Sequence, residues 1–123
     1  MRQVAKRLGV STTTIATRIR DMEKGGLIRG FRPLLDYRKL GYGITAVTLI
    51  KAVGGKIPSL MNDLMRDPQL THVYEITGEF DLLVIGKYRD TEMMNGEIKK
   101  LLSHKAIKET NTSIVLGAAK EEF

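Results

Sequence analysis

The chain of 123 residues contains no cysteine, only two histidines and no long apolar run. The first absence excludes a disulfide framework and thiolate metal sites, and it fits a reducing cytoplasm, the expected location. His72 and His104 have no local ligand spacing and no cysteine partners, so no metal site is expected and both read as surface or satisfied histidines. The longest apolar stretch, ITAVTLIKAV (44–53), carries a lysine and two threonines and is far too short to span a bilayer. Arg2, Lys6 and Arg7 are followed by no apolar run, so no signal-peptide pattern opens the chain, and no membrane partner is expected. Nor is any serine or acidic pair arranged as a catalytic set, which points away from an enzyme and from a cofactor. Gly54-Gly55-Lys56 lacks both the upstream glycine spacing and the following Ser/Thr of a phosphate loop and reads as a turn. The six methionines fall mostly on helical stripes and read as packing.

What is present is unevenly placed. Residues 1–40 hold ten Lys+Arg against three Asp+Glu, whereas residues 41–123 hold ten against eleven. The chain's net charge of +6 thus comes from its N-terminal third, the part suited to meeting a polyanion such as nucleic acid or an anionic membrane. The alternative is a basic surface kept for solubility.

In that third, residues 1–8 place Met1, Val4, Ala5 and Leu8 on one face at helical spacing. Gly9-Val10 breaks the pattern and Ser11 is a natural N-cap for a second helix. That helix turns Ile15, Ile19 and Met22 inward and stops at Gly25-Gly26. A small residue (Ala5), a turn glycine (Gly9) and apolar anchors (Val10, Ile15, Ile19) meet the demands of a helix-turn-helix, in which two helices cross closely. A helical wheel then puts Thr13, Thr17, Arg20 and Lys24 in one outer row, flanked by Thr12, Thr14 and Arg18. The outer face of the second helix is the one that enters a major groove. Threonine can hydrogen-bond a base or phosphate and pack its methyl on thymine, and arginine can grip guanine or phosphate. Ser11 belongs to the same surface, and Arg2, Gln3, Lys6 and Arg7 on the preceding helix would meet the DNA backbone. The competing reading is a solvated amphipathic helix.

Leu27 to Leu35 reads as a short extended piece, and 37–43 as a linker without clear period. The division is therefore a DNA-binding region over 1–36, the linker, and a second domain over 44–123. There the pattern is strand (Ile44–Val53), helix with Ile57, Leu60, Met61, Leu64 and Met65 inward, strand (Leu70–Thr77) and a turn at Gly78-Glu79-Phe80. A strand over Leu82–Tyr88 follows, then a helix capped by Thr91 with Met94, Ile98, Leu101 and Leu102 inward, and a strand over Ile107–Ala118. Strand starts at Ile44 and Leu82 lie 38 apart, and those at Leu70 and Ile107 lie 37 apart. This βαββαβ order predicts an α+β, ferredoxin-like antiparallel sheet with two helices on one face. The opposite face needs a cover, which a homodimer pressing sheet on sheet would supply.

The whole arrangement resembles one family. The run RQVAKRLGVSTTTIATRIRDMEKGGLIRGF, followed by a βαββαβ module containing VYEITGEFDLLV, resembles an Lrp/AsnC (feast/famine) transcription regulator, with EKGGLIRGF and the Gly-x-x-Asp of GEFD as the most specific parts. The resemblance implies an N-terminal domain that binds double-stranded DNA. It implies a C-terminal domain that builds dimers and larger assemblies and commonly binds an amino acid between dimers, changing assembly and DNA affinity. It also implies that Gly78, Glu79, Phe80 and Asp81 form the effector loop, with Asp81 accepting from a ligand ammonium and backbone N–H groups near Gly78 holding a ligand carboxylate. Tyr74, Thr77 and Thr112, the last within the polar run Thr110-Asn111-Thr112-Ser113, are further candidates. On residues alone, GEFD is a hairpin turn with Asp81 as its cap. Family members carry another helix before the pair, and this chain starts inside what would be the second. The resemblance thus leaves three alternatives: a longer protein, cover borrowed from a partner, or weakened DNA binding. The rival reading is an effector-binding oligomeric module that binds no DNA and modulates full-length relatives by mixed assembly.

Overall fold

The structure, a computed structural model, describes Gly9 and residues 11–121. The pattern over Met1 to Leu8, and Val10, lie outside the described residues. Two compact units divide the chain, one running to Leu35 and the other starting at Asp36.

The first unit contains α1 (Thr12–Lys24). Ser11 is extended, at φ −71° and ψ 153°, and its Oγ accepts the Thr14 N–H at 3.1 Å, satisfying one of the free donors of the first turn. The helix closes at Gly25. Gly26, at φ +79°, then turns the chain so that the N–H groups of Leu27 and Ile28 both reach the Met22 carbonyl (2.8 and 3.1 Å). Ile15 is buried and Ile19 and Met22 are half-buried, the inward stripe expected from the period. Leu27 to Leu35 takes no regular secondary structure.

The second unit is built from β1 (Ile44–Ala52), α2 (Ile57–Met65), β2 (Leu70–Glu75), β3 (Leu82–Tyr88), α3 (Thr91–Leu102) and β4 (Ile107–Ile114). All strand pairs are antiparallel, in the order β2-β3-β1-β4, which is the ferredoxin-like arrangement. Side chains alternate across the pleat. Ala46, Thr48, Ile50 and Ala52 of β1 and Leu82, Val84, Gly86 and Tyr88 of β3 face the helices and are buried. Leu60 and Leu64 of α2 and Leu101 of α3 close that core from above. A second cluster joins Ala46, Tyr88 and Met94. Tyr88 lies across its own strand over Gly86, where a Cβ would meet the phenol ring. The other face, with Val47, Leu49, Leu83 and Ile85, is half-exposed.

Several expectations need correction. Met65 and Leu102 are 70 % and 51 % exposed. Each lies eight residues after the start of its stripe, about 80° round the helix, at the margin of the apolar face. The inward position that periodicity overlooked on α3 is Glu97, which is buried. The cap of α3 is Asp90, whose Oδ1 accepts the Met93 N–H at 2.8 Å; Thr91 is the first helical residue. β1 stops one residue short, at Ala52, and β2 stops at Glu75. β4 ends at Ile114, opposite Ala46, and one further bond, from the Val115 N–H to the Thr45 carbonyl at 2.9 Å, follows it. Residues 36–43, without periodicity, form a turn closed on the Tyr37 carbonyl by the N–H groups of Leu40 and Tyr42. That turn is pinned by Lys87 over the Tyr37 ring (5.0 Å) and Arg89 over the Tyr42 ring (5.3 Å).

Candidate DNA-binding helix and effector loop

On α1, Thr12, Thr13, Thr17, Arg18, Arg20 and Lys24 are exposed, Ser11 is exposed at the cap and Thr14 is half-buried. The hydroxyls are not idle. Thr14 Oγ1 and Ser11 Oγ lie 2.7 Å apart, and Thr17 Oγ1 donates to the Thr13 carbonyl at 3.0 Å. A threonine that bonds back along its own helix holds its rotamer and turns its methyl outward in a fixed direction. Thr12 and Thr13 keep their side chains at the exposed N-terminal end of the helix, where a helix-turn-helix reads base edges. Among the described residues of this unit no carboxylate pairs with Arg18, Arg20 or Lys24 within 4.0 Å, so their charge is available to phosphate. Arg2, Gln3 and Lys6 lie outside the described residues.

The loop between β2 and β3 is closed by the Ile76 N–H, which donates to the Asp81 carbonyl at 2.9 Å. Gly78 stands at φ +111°, a conformation that a side chain would strain. Asp81 is the anchor: its N–H donates to the Ile50 carbonyl at 2.9 Å and its Oδ2 accepts the Ala52 N–H at 2.7 Å. That N–H sits where the β1–β4 register shifts, so the carboxylate occupies a donor next to a break in the ladder. Gly78 and Glu79 are exposed and Phe80 is half-buried, so the tip of the loop is presented around a fixed base.

The remaining candidates do not gather at this loop. Tyr74 pairs with Leu83 on the open face, its ring 5.7 Å from that of His72, whereas Thr112 pairs with Thr48 on the helix-covered face. The two threonine hydroxyls bond each other at 3.0 Å, so Thr112 is already engaged, on the edge strand that β3 and β1 separate from β2. Thr77 is exposed beside Gly78. At the far end of the β2–β3 hairpin, Tyr37, Tyr42, Pro68, Gln69, Thr71 and Lys87 line a shallow cleft of about 230 Å³. His104 is a satisfied residue: its Nδ1 accepts the Ala106 N–H at 3.0 Å, so Nε2 carries the proton to Asp63 at 2.8 Å.

Sequence reasoning missed one polar cluster in this domain. Asp67 and Glu97 are both buried, between the end of α2 and the middle of α3. The only signal was an acidic residue on the stripe of α3.

Among the described residues no helix is long and apolar enough to cross a membrane, and no group of three side chains is placed to hold a metal.

Comparison with known proteins joins the two parts. Residues 1–29 match a winged helix-turn-helix DNA-binding model, and residues 45–123 match the Lrp/AsnC ligand binding domain. An uncharacterized HTH-type transcriptional regulator of Pyrococcus furiosus is 44 % identical over 99 % of this chain and 82 % of its own length. The structure of Escherichia coli AsnC superposes with a TM-score of 0.84 at 27 % identity, covering 98 % of this chain and 83 % of that one. A Neisseria meningitidis transcriptional regulator solved with L-methionine gives a TM-score of 0.86 at 22 % identity, over 95 % and 78 %. Both matches lie on this one chain, and its relatives are named as HTH-type transcriptional regulators, which favours the DNA-binding regulator over the stand-alone effector module. The chain belongs to the Lrp/AsnC family of helix-turn-helix transcription regulators.

Proposed function

We propose that this regulator, acting in the cytoplasm, binds double-stranded DNA through the exposed row of α1 and that an amino acid held at the 78–81 loop shifts its assembly and thereby its DNA affinity. The observation that carries the reading is α1 itself: a capped helix inside the winged helix-turn-helix match, presenting Thr12, Thr13, Thr17, Arg18, Arg20 and Lys24 to solvent. Phosphate contacts dominate affinity, and few long side chains reach base edges. Sequence preference is therefore modest and favours bendable A/T-rich sites.

A second copy covers the half-exposed apolar face of Val47, Leu49, Leu83 and Ile85, and further dimers assemble around the 78–81 loops. An amino-acid effector is supported by the methionine complex of the Neisseria protein, which shares the fold. The ligand acts by linkage: it binds one assembly better than another and draws the population toward it. Asp81 holds the loop through Ala52, and its Oδ1 remains to meet a ligand ammonium.

The test is a mobility-shift salt titration on the DNA upstream of the protein's own coding region, with and without a panel of amino acids that includes methionine. Binding falls steeply with salt, and Arg20→Ala lowers the salt slope by about one. Asp81→Ala keeps DNA binding and loses the amino-acid response. Absence of binding at low salt overturns the DNA reading, and a preserved response in Asp81→Ala moves the effector site elsewhere.

A further inference from the structure

The two helices of the ligand-binding domain present the same stripe, 37 residues apart: Ile57, Leu60, Met61 and Leu64 on α2, and Met94, Glu97, Ile98 and Leu101 on α3. Leu60, fully buried, therefore has Glu97 as its counterpart, and Glu97 is 6 % exposed. Its nearest acidic neighbour is Asp67, 9 % exposed, in the turn that leaves α2. Asp67 organises that turn. Its Oδ1 accepts the Gln69 N–H at 2.9 Å, its N–H donates to the Leu64 carbonyl at 3.1 Å, and its carbonyl accepts the Leu70 N–H at 3.2 Å.

Among the described residues one cation, Lys100, acts on both carboxyls. Lys100 Nζ lies 3.7 Å from Asp67 Oδ2, on a side chain 68 % exposed, and Glu97 Oε1 is buried with no hydrogen-bond partner. Two carboxylates taken from water side by side, with a single screened lysine, cannot both ionise without a large cost. A proton on Glu97 removes one charge and lets that carboxyl donate to Asp67.

We propose that Asp67 and Glu97 form a proton-held latch between the turn after α2 and the middle of α3, which loosens when the shared proton leaves.

The groups acting on the latch come from each element around it. Asp67 comes from the α2–β2 turn, Lys100 from α3 itself, and Tyr88 from β3. β4 meets α3 through Ile107 and Leu101, which are apolar. Burial, then the hydrogen bond and charge of Asp67, push the Glu97 carboxyl up to about 7, against the pull of Lys100. Burial also pushes Asp67 up, but the bonds from Glu97 and Gln69 and the charge of Lys100 together hold it below the usual aspartate value of 3.8. The pair titrates as a unit. Folded Glu97 holds its proton more tightly than the unfolded chain does. Its stabilisation is therefore complete below the ordinary value of 4.5 and is lost as pH rises through about 7. Asp67 works in the opposite sense and only at lower pH, where its stabilisation is lost as pH falls below 3.8.

The test compares thermal unfolding of the full chain and its Glu97→Gln variant from pH 5 to pH 8. Glutamine keeps the volume and donates to Asp67 at every pH. The melting temperature of the variant should gain roughly 5 °C or more on the wild type between pH 5 and pH 8. Every ionisable group other than position 97 is common to both proteins and cancels in the difference. Parallel curves overturn the latch. Should the variant not fold, a carbon-13 titration of the Glu97 carboxyl in the wild-type protein decides. A midpoint within a unit of 7 supports the latch, and one near 4.5 overturns it.

Discussion

Helices α2 and α3 solve one packing problem in two ways. Both lie on the same face of one sheet and carry the same spacing of inward positions. α2 fills its second position with Leu60 and starts without a side-chain cap, with Pro58 in its first turn. α3 puts Glu97 there and takes its cap from Asp90. α2 therefore rests mainly on apolar burial, while α3 combines burial with polar contacts that respond to solution conditions. Evenly spaced stripes do not imply evenly distributed stability.

That contrast can be broken from its strongest side first. Leu60→Ala should cost about 2–5 kcal/mol, the range for emptying a fully buried leucine site, measured by urea unfolding of the full chain. A cost below about 1 kcal/mol would mean that α2 does not rest on that contact. Asp90→Ala sharpens the other side: losing the oxygen that accepts the Met93 N–H should cost about 1 kcal/mol. Asp90→Asn, which keeps an acceptor, should restore most of it in the same assay. The smallest effect belongs to the stripe margins. Met65→Gln and Leu102→Gln should each change stability by no more than about 0.5 kcal/mol, because both side chains already meet solvent. A larger loss from either would show that the marginal position is covered, and a change in its concentration dependence would show by a second copy.

Much of this was legible in the sequence. Ser11 could be read as a cap because a hydroxyl residue follows the break at Gly9-Val10, about one turn before Ile15 opens the apolar stripe. The βαββαβ order emerged from β-branched runs alternating with 3.6-residue periods and bounded by glycine or proline. Illegible were features that depend on partners distant in sequence. Periodicity counts apolar residues, so it could not register Glu97 as inward, and Asp67 was hidden in an Asp-Pro turn. Asp90 and Thr91 are both good caps standing side by side, and local chemistry does not choose between them. The tyrosines of 36–43 have no period of their own; Lys87 and Arg89, some fifty residues away, give that turn its shape. At the candidate site, the glycine of the 78–81 loop follows from local backbone geometry, whereas the hold of Asp81 on Ala52 required the sheet register.

Gly86 and Tyr88 bear on how this chain can change over time. The ring occupies the space a side chain at 86 would need, and Tyr88 is buried, so it has nowhere to swing. Neither position can be altered freely alone: enlarging 86 collides with the ring, and shrinking 88 leaves a void under α3. The two therefore vary as one character, and a lineage that replaces the glycine must first pass through a smaller residue at 88 and bear the cavity on the way.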